Sequence, residues 1–336
     1  MSELRRDLIT DRWVDIATVR AKRPDAFVGK AHTADKHDKG RCVFCPGNEE
    51  IVGDELFVTR DKGKPNDRNW KIRVVPNKFP SFAPLDKLDR RKVGPYSMQN
   101  ASGKAEVVLM RDRNKFEAQM TAQEVGDLIL AYRERYRDLA DDKHINYILI
   151  FKNHGKQAGA SIAHPHSQIY ALPIISDAVQ DELTTENKYF KTHKKSALSA
   201  AIQFEKRNKK RIVFENKDFI VFCPFASSAP FEMRVAPKKY EQRFEDIKDS
   251  QLELAGEALH KALKGLYYGL KNPPFNYYIH SAPAMNKNFP GHHWHLRIIP
   301  RLAIRAGFEL GTGIIVNPVK PETAAAHLRK FARRKV

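Results

Sequence analysis

Cysteine is scarce, with three in 336 residues, two of them in one C-x-x-C pair. Three thiols cannot build a disulfide framework, and a reducing cytoplasm is their simplest compartment. Long apolar runs are missing as well. No stretch approaches the length that crosses a bilayer, and the opening MSELRRDLITDRW lacks the apolar core of a signal peptide, so no membrane partner is expected. Acidic residues are in deficit: 40 Asp and Glu stand against 59 Lys and Arg, a formal charge of +19. That imbalance attracts anions, and nucleotides or sugar phosphates fit it as well as nucleic acid does. The cations are spread along the chain, however, and no nucleic-acid-binding motif accompanies them. The densest cluster, Lys188 to Arg211, alternates lysine with small and polar residues and reads as a solvated surface. Arg329 to Lys335 reads as a basic tail on a final helix. No nucleic-acid partner is expected.

What is present is enough apolar sequence for a sizeable core, at 42% hydrophobic residues, in a chain long enough for two domains or one duplicated unit. The unusual stretch is Asn153-His-Gly-Lys-Gln-Ala-Gly159-Ala-Ser161-Ile-Ala-His164-Pro165-His166-Ser-Gln168. Histidine is the side chain best suited to act as base or nucleophile near neutral pH. Pro165 fixes its own φ and biases His164 towards an extended conformation. In extended chain, residues two apart share a face, so His164, His166 and Gln168 project together. Structural histidines, a metal site and a catalytic pair all remain open on spacing alone.

Along the chain, Leu8 to Ala17 reads as a hairpin. Arg20-Ala-Lys-Arg23-Pro follows, either a solvated turn or a clamp on a phosphate or ribose. Cys42-Val-Phe-Cys45-Pro-Gly is a knuckle that usually gives zinc two thiolates and needs further ligands. Ala105 to Met110 reads as a strand, and Thr121 to Glu124 is a capping box opening a helix. A strand at Ile145 then leads into the histidine loop. The second half repeats this order: strand Phe231 to Val235, capping box Ser250 to Glu253, strand Phe275 to His280, then His292-His293-Trp294-His295. Phe275-Asn-Tyr-Tyr-Ile-His echoes Ile145-Asn-Tyr-Ile-Leu-Ile. Strand, capped helix, strand and histidine cluster thus occur twice, which predicts a duplicated α+β unit with antiparallel sheets and helices packed on one side. We expect one unit over 1–187 and the second over 188–336.

These pieces together resemble the galactose-1-phosphate uridylyltransferase family, within the histidine-triad superfamily. The resemblance rests on Arg20-Ala-Lys-Arg-Pro24, the Cys42/Cys45 knuckle, the Asn153 to Gln168 loop, His293-Trp-His295 and Gly307-Phe-Glu309-x-Gly-Thr-Gly313, so it covers nearly the whole chain. It implies a histidine-triad-like fold in each half and a ping-pong reaction. His166 attacks a UDP-hexose, holds UMP as a phosphoramidate and passes it to a second hexose 1-phosphate. Ser161 and Gln168 would hydrogen-bond the phosphate, and Asn153 would contact it. Arg20, Arg23 and Asn77 match nucleotide-contacting positions, and Phe308 and Glu309 lie where the hexose is bound. His164 would join Cys42 and Cys45 as a zinc ligand. The family's fourth ligand, a histidine, corresponds here to Asn114, and a neutral amide is a poor partner for zinc beside two thiolates. Either water or another histidine completes that site or it is degenerate; we expect bound zinc. A second metal, iron or zinc, occurs in some members, and Glu182, His280 and His295 match three of its ligands while Arg297 stands at the fourth. Cys223 reads as a small packed apolar residue. The family's usual state is a homodimer with the site completed across the interface.

The leading expectation is transfer of UMP from UDP-glucose to galactose 1-phosphate. A near neighbour is an adenylyltransferase that acts on ADP-glucose with phosphate as acceptor, because Gly291 to Glu322 resembles that branch as well. A dinucleoside polyphosphate hydrolase or phosphorylase needs only one unit and no knuckle. A basic zinc module on nucleic acid is opposed by the intact His164-Pro-His166-Ser-Gln168.

Overall fold

The computed structural model describes residues 1–20, 27, 42–84, 88–285 and 288–334. The chain opens with a hairpin, β1 (Glu3–Arg6) and β2 (Trp13–Ile16), which begins earlier than the expected Leu8 to Ala17 and puts Leu8 in its turn. Asp7 shapes its turn: Oδ1 accepts from the backbone N–H groups of Ile9 and Thr10, both at 2.9 Å. After the cysteine knuckle come the short helix α1 (Glu49–Val52) and strands β3 (Phe57–Arg60) and β4 (Trp70–Pro76). An exposed hairpin of β5 (Arg90–Val93) and β6 (Tyr96–Gln99) precedes β7 (Lys104–Met110). Helix α2 (Ala122–Ala140), β8 (Tyr147–His154) and β9 (His166–Leu172) complete the first half. Helices α3 (Asp177–His193) and α4 (Ala197–Asn208) lead to β10 (Ile212–Glu215), β11 (Phe219–Phe222) and β12 (Met233–Pro237). Helix α5 (Asp249–Gly269), β13 (Phe275–His280) and β14 (His295–Pro300) follow, then α6 (Gly307–Thr312), β15 (Ile315–Asn317) and α7 (Pro321–Ala332).

Ten strands form one antiparallel sheet in the order β10-β11-β12-β14-β13-β8-β9-β7-β4-β3. From its centre outwards each half reads alike: β8, β9, β7 on one side and β13, β14, β12 on the other. The duplicated α+β unit is therefore present, and the pairing of β8 with β13 fuses its copies into one sheet. Beside it, β1, β2 and β15 make a small second sheet, with β15 parallel to β2.

Alternation along the strands sorts side chains to the two faces. Ile148, Ile150, Ile169, Phe219, Val221, Leu296 and Ile298 point to one core shared with α2, α5 and α7. Helix α4 adds a smaller core on the opposite face, where Leu198 and Ile202 meet Ile220 and Phe222. Thr121 caps α2 as expected: its Oγ1 accepts from the Glu124 N–H at 3.1 Å, and Glu124 Oε2 accepts from the Thr121 N–H at 2.7 Å. Arg135 of α2 reaches β7 through two bonds to buried Glu106, at 2.8 and 2.7 Å.

Two expectations are corrected. The second capping box is displaced: α5 begins at Asp249, and Gln251 Oε1 accepts from the Lys248 N–H at 3.0 Å, so Ser250 lies inside the helix. The echo of Ile145-Asn146 in Phe275-Asn276 is out of register. Ile148 and Ile150 face the core, but so do Phe275, Tyr277 and Ile279, and the letter-by-letter match would turn one strand over. A point between 187 and 188 falls inside α3, so the two units are joined through a continuous helix as well as a continuous sheet.

The helices α2 and α5 cross where Gly126 meets Gly256. A Cβ built on Gly256 would lie 2.4 Å from the Gly126 nitrogen and 2.5 Å from the Ala122 carbonyl, whereas one on Gly126 would meet nothing closer than 3.3 Å. Backbone cannot yield as a flexible side chain does. Gly256→Ala is expected to lower stability by about 1–3 kcal/mol through overpacking, and Gly126→Ala by less. Urea unfolding of both variants checks the ranking.

Candidate active site

The loop between β8 and β9 turns on two glycines at positive φ, Gly155 at 81° and Gly159 at 89°, with the short helical turn Lys156–Ala158 between them. It delivers His164, Pro165 and His166 to the first residue of β9, beside the end of β7. There the two imidazoles are fixed in opposite tautomers. His164 Nε2 lies 2.6 Å from the Met110 carbonyl, which can only accept, so Nε2 carries the proton and Nδ1 presents a lone pair. His166 Nδ1 lies 2.8 Å from the His164 carbonyl, so the proton is on Nδ1 and the lone pair is on Nε2.

The Nδ1 of His164 faces two sulfurs, 3.5 Å from Cys42 Sγ and 3.6 Å from Cys45 Sγ. Among the described residues these three form the group of potential metal donors, with all ligand atoms within 4.8 Å of one another. Two thiols, one imidazole nitrogen and a backbone carbonyl orienting that imidazole are what zinc takes. Burial pushes the Cys45 thiol up to about 11, and Cys42 beside it adds to this, while the Arg113 guanidinium draws it down. Burial lowers His164 to about 4, which keeps it a neutral donor.

Asn114 does not join this group. It is exposed, and its backbone N–H donates to Asp112. Its neighbour Arg113 is buried and lines, with Cys42, Ser161 and His164, a cavity of about 290 Å³. Among the described residues, the Cys42–Cys45–His164 set offers three protein donors.

His166 is buried, and burial lowers it below its ordinary value, with the Lys152 charge acting in the same direction. The knuckle reaches it directly: the Phe44 ring stands edge-on to both histidines, 5.2 Å from His166 and 6.1 Å from His164. Gln168 shares the face of His166 two residues along β9. Asn153 lies on the same side of the neighbouring β8, and its Oδ1 accepts from Asn276 Nδ2 at 2.8 Å. The same Asn276 amide donates to the Ala158 carbonyl, so β13 of the second half holds both Asn153 and the loop. On the other face of β9, Ser167 joins Tyr132 at 2.5 Å, Tyr132 joins Tyr277 at 2.6 Å, and Tyr277 reaches Glu117, the buried partner of Lys152 at 2.7 Å. These groups escaped the reading of the sequence. Asn276 was masked by its apparent match to Asn146, whose amide instead donates to the Pro173 carbonyl.

The remaining candidates are dispersed. Asn77 follows β4, and its Oδ1 accepts from the Phe79 N–H at 3.0 Å, which leaves the amide nitrogen to donate outwards. Arg20 ends the turn Thr18–Arg20, and Arg23 lies outside the described residues. Phe308 and Glu309 sit on the exposed α6, where Glu309 Oε2 caps its own helix at the Ala306 N–H. Glu182, His280 and His295 do not gather as a donor set. Glu182 Oε2 is 3.2 Å from His280 Nδ1, and the His280 ring stacks on His295 at 4.8 Å. Arg297, on the same face of β14 as His295, is a cation held by Glu232 at 2.6 Å and offers no ligand atom. The geometry does not support a second metal there. Cys223 is fully buried and free, as a packed apolar residue.

The duplicated α+β unit thus carries a strand-mounted imidazole with one nitrogen anchored and the other open, and the relatives of this chain are nucleotidyl-transferring enzymes. Residues 1–176 match the model of the galactose-1-phosphate uridyl transferase N-terminal domain, and 109–333 match a domain of unknown function. ADP-glucose phosphorylase of Arabidopsis thaliana is 34% identical over 98% of this chain and 93% of its own. Galactose-1-phosphate uridylyltransferase of Thermotoga maritima is 27% identical over 98% of both. The crystal structure of the Arabidopsis ADP-glucose phosphorylase with bound ADP-glucose superposes with a TM-score of 0.82 at 31% identity, covering 98% of each chain. A uridylyltransferase structure shares the fold at a TM-score of 0.74 and 23% identity, covering 99% of each. The chain belongs to the galactose-1-phosphate uridyl transferase family.

Metal analysis of the purified protein is expected to find about one zinc per chain. Cys42→Ser should lose most of it, and Asn114→Ala should retain it. Zinc below about a tenth per chain would show that the donor set does not hold the metal.

Proposed function

We propose that this enzyme is a nucleotide-sugar nucleotidyltransferase working by ping-pong through a nucleotidyl-His166. The observation that carries this reading is the His166 Nδ1–H bond to the His164 carbonyl, which leaves Nε2 neutral, oriented and free to attack. In the first half-reaction the Nε2–P bond forms at the α-phosphorus and the P–O bond to the departing hexose 1-phosphate breaks. In the second, an acceptor phosphate oxygen attacks the same phosphorus, and the imidazole leaves with its lone pair. Charge on the non-bridging oxygens would be met by hydrogen bonds from Gln168, Ser161 and Asn153, the last oriented by Asn276. Zinc on Cys42, Cys45 and His164 would fix the knuckle against the loop, and Phe44 would transmit that order to the His166 ring.

We favour ADP-glucose as donor and inorganic phosphate as acceptor, supported by the 34% identity to the Arabidopsis ADP-glucose phosphorylase. Transfer of UMP from UDP-glucose to galactose 1-phosphate is the second reading, supported by the family model over 1–176. Homodimerisation through α6 belongs to the same proposal, supported by exposed Ile304, Phe308 and Leu310 around it. So does a cytoplasmic setting, supported by three free cysteines.

Incubation with ADP-glucose or UDP-glucose without acceptor, followed by intact mass measurement, separates the donors. One acid-labile AMP per chain is expected, absent in His166→Ala; an UMP adduct alone would favour the second reading, and no adduct with either would sink both. In single-turnover experiments, Gln168→Ala is expected to slow formation of the adduct by about 10²–10³-fold, the size of effect seen for one oxyanion-type donor.

A further inference from the structure

Behind His166 the apolar core holds a polar island that the proposed chemistry does not use. On the core face of the sheet, Tyr277 of β13 pairs with Lys152 of β8. Phe151 pairs with Gln168, so Lys152, one residue on, comes level with Ser167 of β9, the residue between His166 and Gln168. Glu117, from the turn before α2, completes the row. Its Oε1 lies 2.7 Å from Lys152 Nζ and accepts from the Tyr277 hydroxyl at 3.3 Å. Lys152 and Glu117 are each 1% exposed, which makes them an ion pair withdrawn from water.

A buried ion pair is often no more stabilising than apolar residues of the same volume, so packing alone does not account for this one. What it supplies is a fixed charge. Held by Glu117 in a dry core, the ammonium is screened little by salt. Directly opposed residues on neighbouring antiparallel strands have Cα atoms about 4.5–5.5 Å apart, so Lys152 springs from the sheet close behind His166. Burial already disfavours a positive charge on the His166 ring, and the Lys152 ammonium, not the Glu117 carboxylate, is the charge that adds to this. The ring acquires such a charge in the proposed reaction. As Nε2 gives its lone pair to phosphorus, the electron pair of the P–O bond leaves with the hexose 1-phosphate, which becomes a dianion. Nδ1 keeps its proton against the His164 carbonyl, so the ring turns positive and matches the single negative charge left on the nucleotidyl group. The acceptor then reverses these changes, and the ring leaves neutral.

We propose that Lys152, anchored by Glu117, sets the energy of the covalent intermediate: its ammonium disfavours the positively charged nucleotidyl-imidazole and so keeps the nucleotide transferable instead of stored on His166. Lys152 is a positioning residue, touching no substrate and acting through the His166 ring, and its role rests on the nucleotidyl-His166 reading.

The equilibrium between free and nucleotidylated enzyme tests this. Wild type and variants are mixed with ADP-glucose and glucose 1-phosphate at fixed ratios, and in a second series with UDP-glucose as donor. After a quench in alkaline denaturant, intact mass gives the nucleotidylated fraction. Lys152→Met/Glu117→Gln, which removes both charges at nearly constant volume, is expected to shift the equilibrium towards the adduct about tenfold, the effect of one charge about 10 Å away in a protein interior. Lys152→Met alone should shift it in the same direction, because the remaining Glu117 is either negative or neutral. Lys152→Arg, which keeps the charge, should hold the wild-type value. A purely structural role would not move this ratio: unfolded protein is lost from both forms equally, and a misplaced His166 slows formation and return alike. An equilibrium that is unchanged in the Met variants, or shifted towards free enzyme, overturns the proposal while the adduct itself stands. An equal shift in Lys152→Arg overturns it too. Absence of any adduct in the wild type with both donors overturns it together with the proposed reaction.

Discussion

The molecule depends on one seam. Along it β8 pairs with β13, and above it α2 crosses α5 at Gly126 and Gly256, so two copies of one unit share a sheet and a core. Without this seam each half would end in an open edge of unpaired backbone groups. With it, Asn276 of the second copy comes within 2.8 Å of Asn153 in the first and also holds the loop carbonyl of Ala158. The face around His166 is thus assembled from both copies, although every side chain proposed to touch the phosphate comes from the first.

Main-chain carbonyls then give the two adjacent imidazoles different chemistry. Met110 takes the Nε2 proton of His164, and His164 in turn takes the Nδ1 proton of His166. One ring is left with an open Nδ1 facing two sulfurs, the other with an open Nε2, and neither can exchange tautomers without breaking a buried hydrogen bond. Proline between them narrows the backbone conformations that set the direction in which each ring projects.

Much of this was legible in the residues. The His164-Pro165-His166-x-Gln168 spacing, the Cys42/Cys45 knuckle and the order of elements in each half follow from local periodicity and turn chemistry, which act over a few residues. What was illegible depends on register and distance. Period-two alternation gives a strand the same pattern after a two-residue shift but the opposite faces after one, so the Asn146/Asn276 echo is out of register although the duplication is present. The resemblance set Asn114, a poor ligand, where the family has its fourth, and the turn after β7 buries Arg113 and leaves Asn114 in solvent. Glu117, Tyr132, Lys152, Ser167 and Tyr277 come from separate elements, and nothing local in the sequence announces that they meet.

The continuous helix α3 has a consequence for how such a chain can vary. Because it bridges the two copies without a break, a change in its length or phase would turn its N-terminal Ser176 relative to Glu182 and Glu186 further along. Glu186 already grips His292 at 2.6 Å in the loop before β14, and the Gly291 backbone is so close to the Glu186 carbonyl that a Cβ there would lie 2.6 Å from it. The connector between the duplicated units is therefore as tightly specified as either core. Insertions that surface linkers tolerate would here dislodge the strand carrying His295 and Arg297.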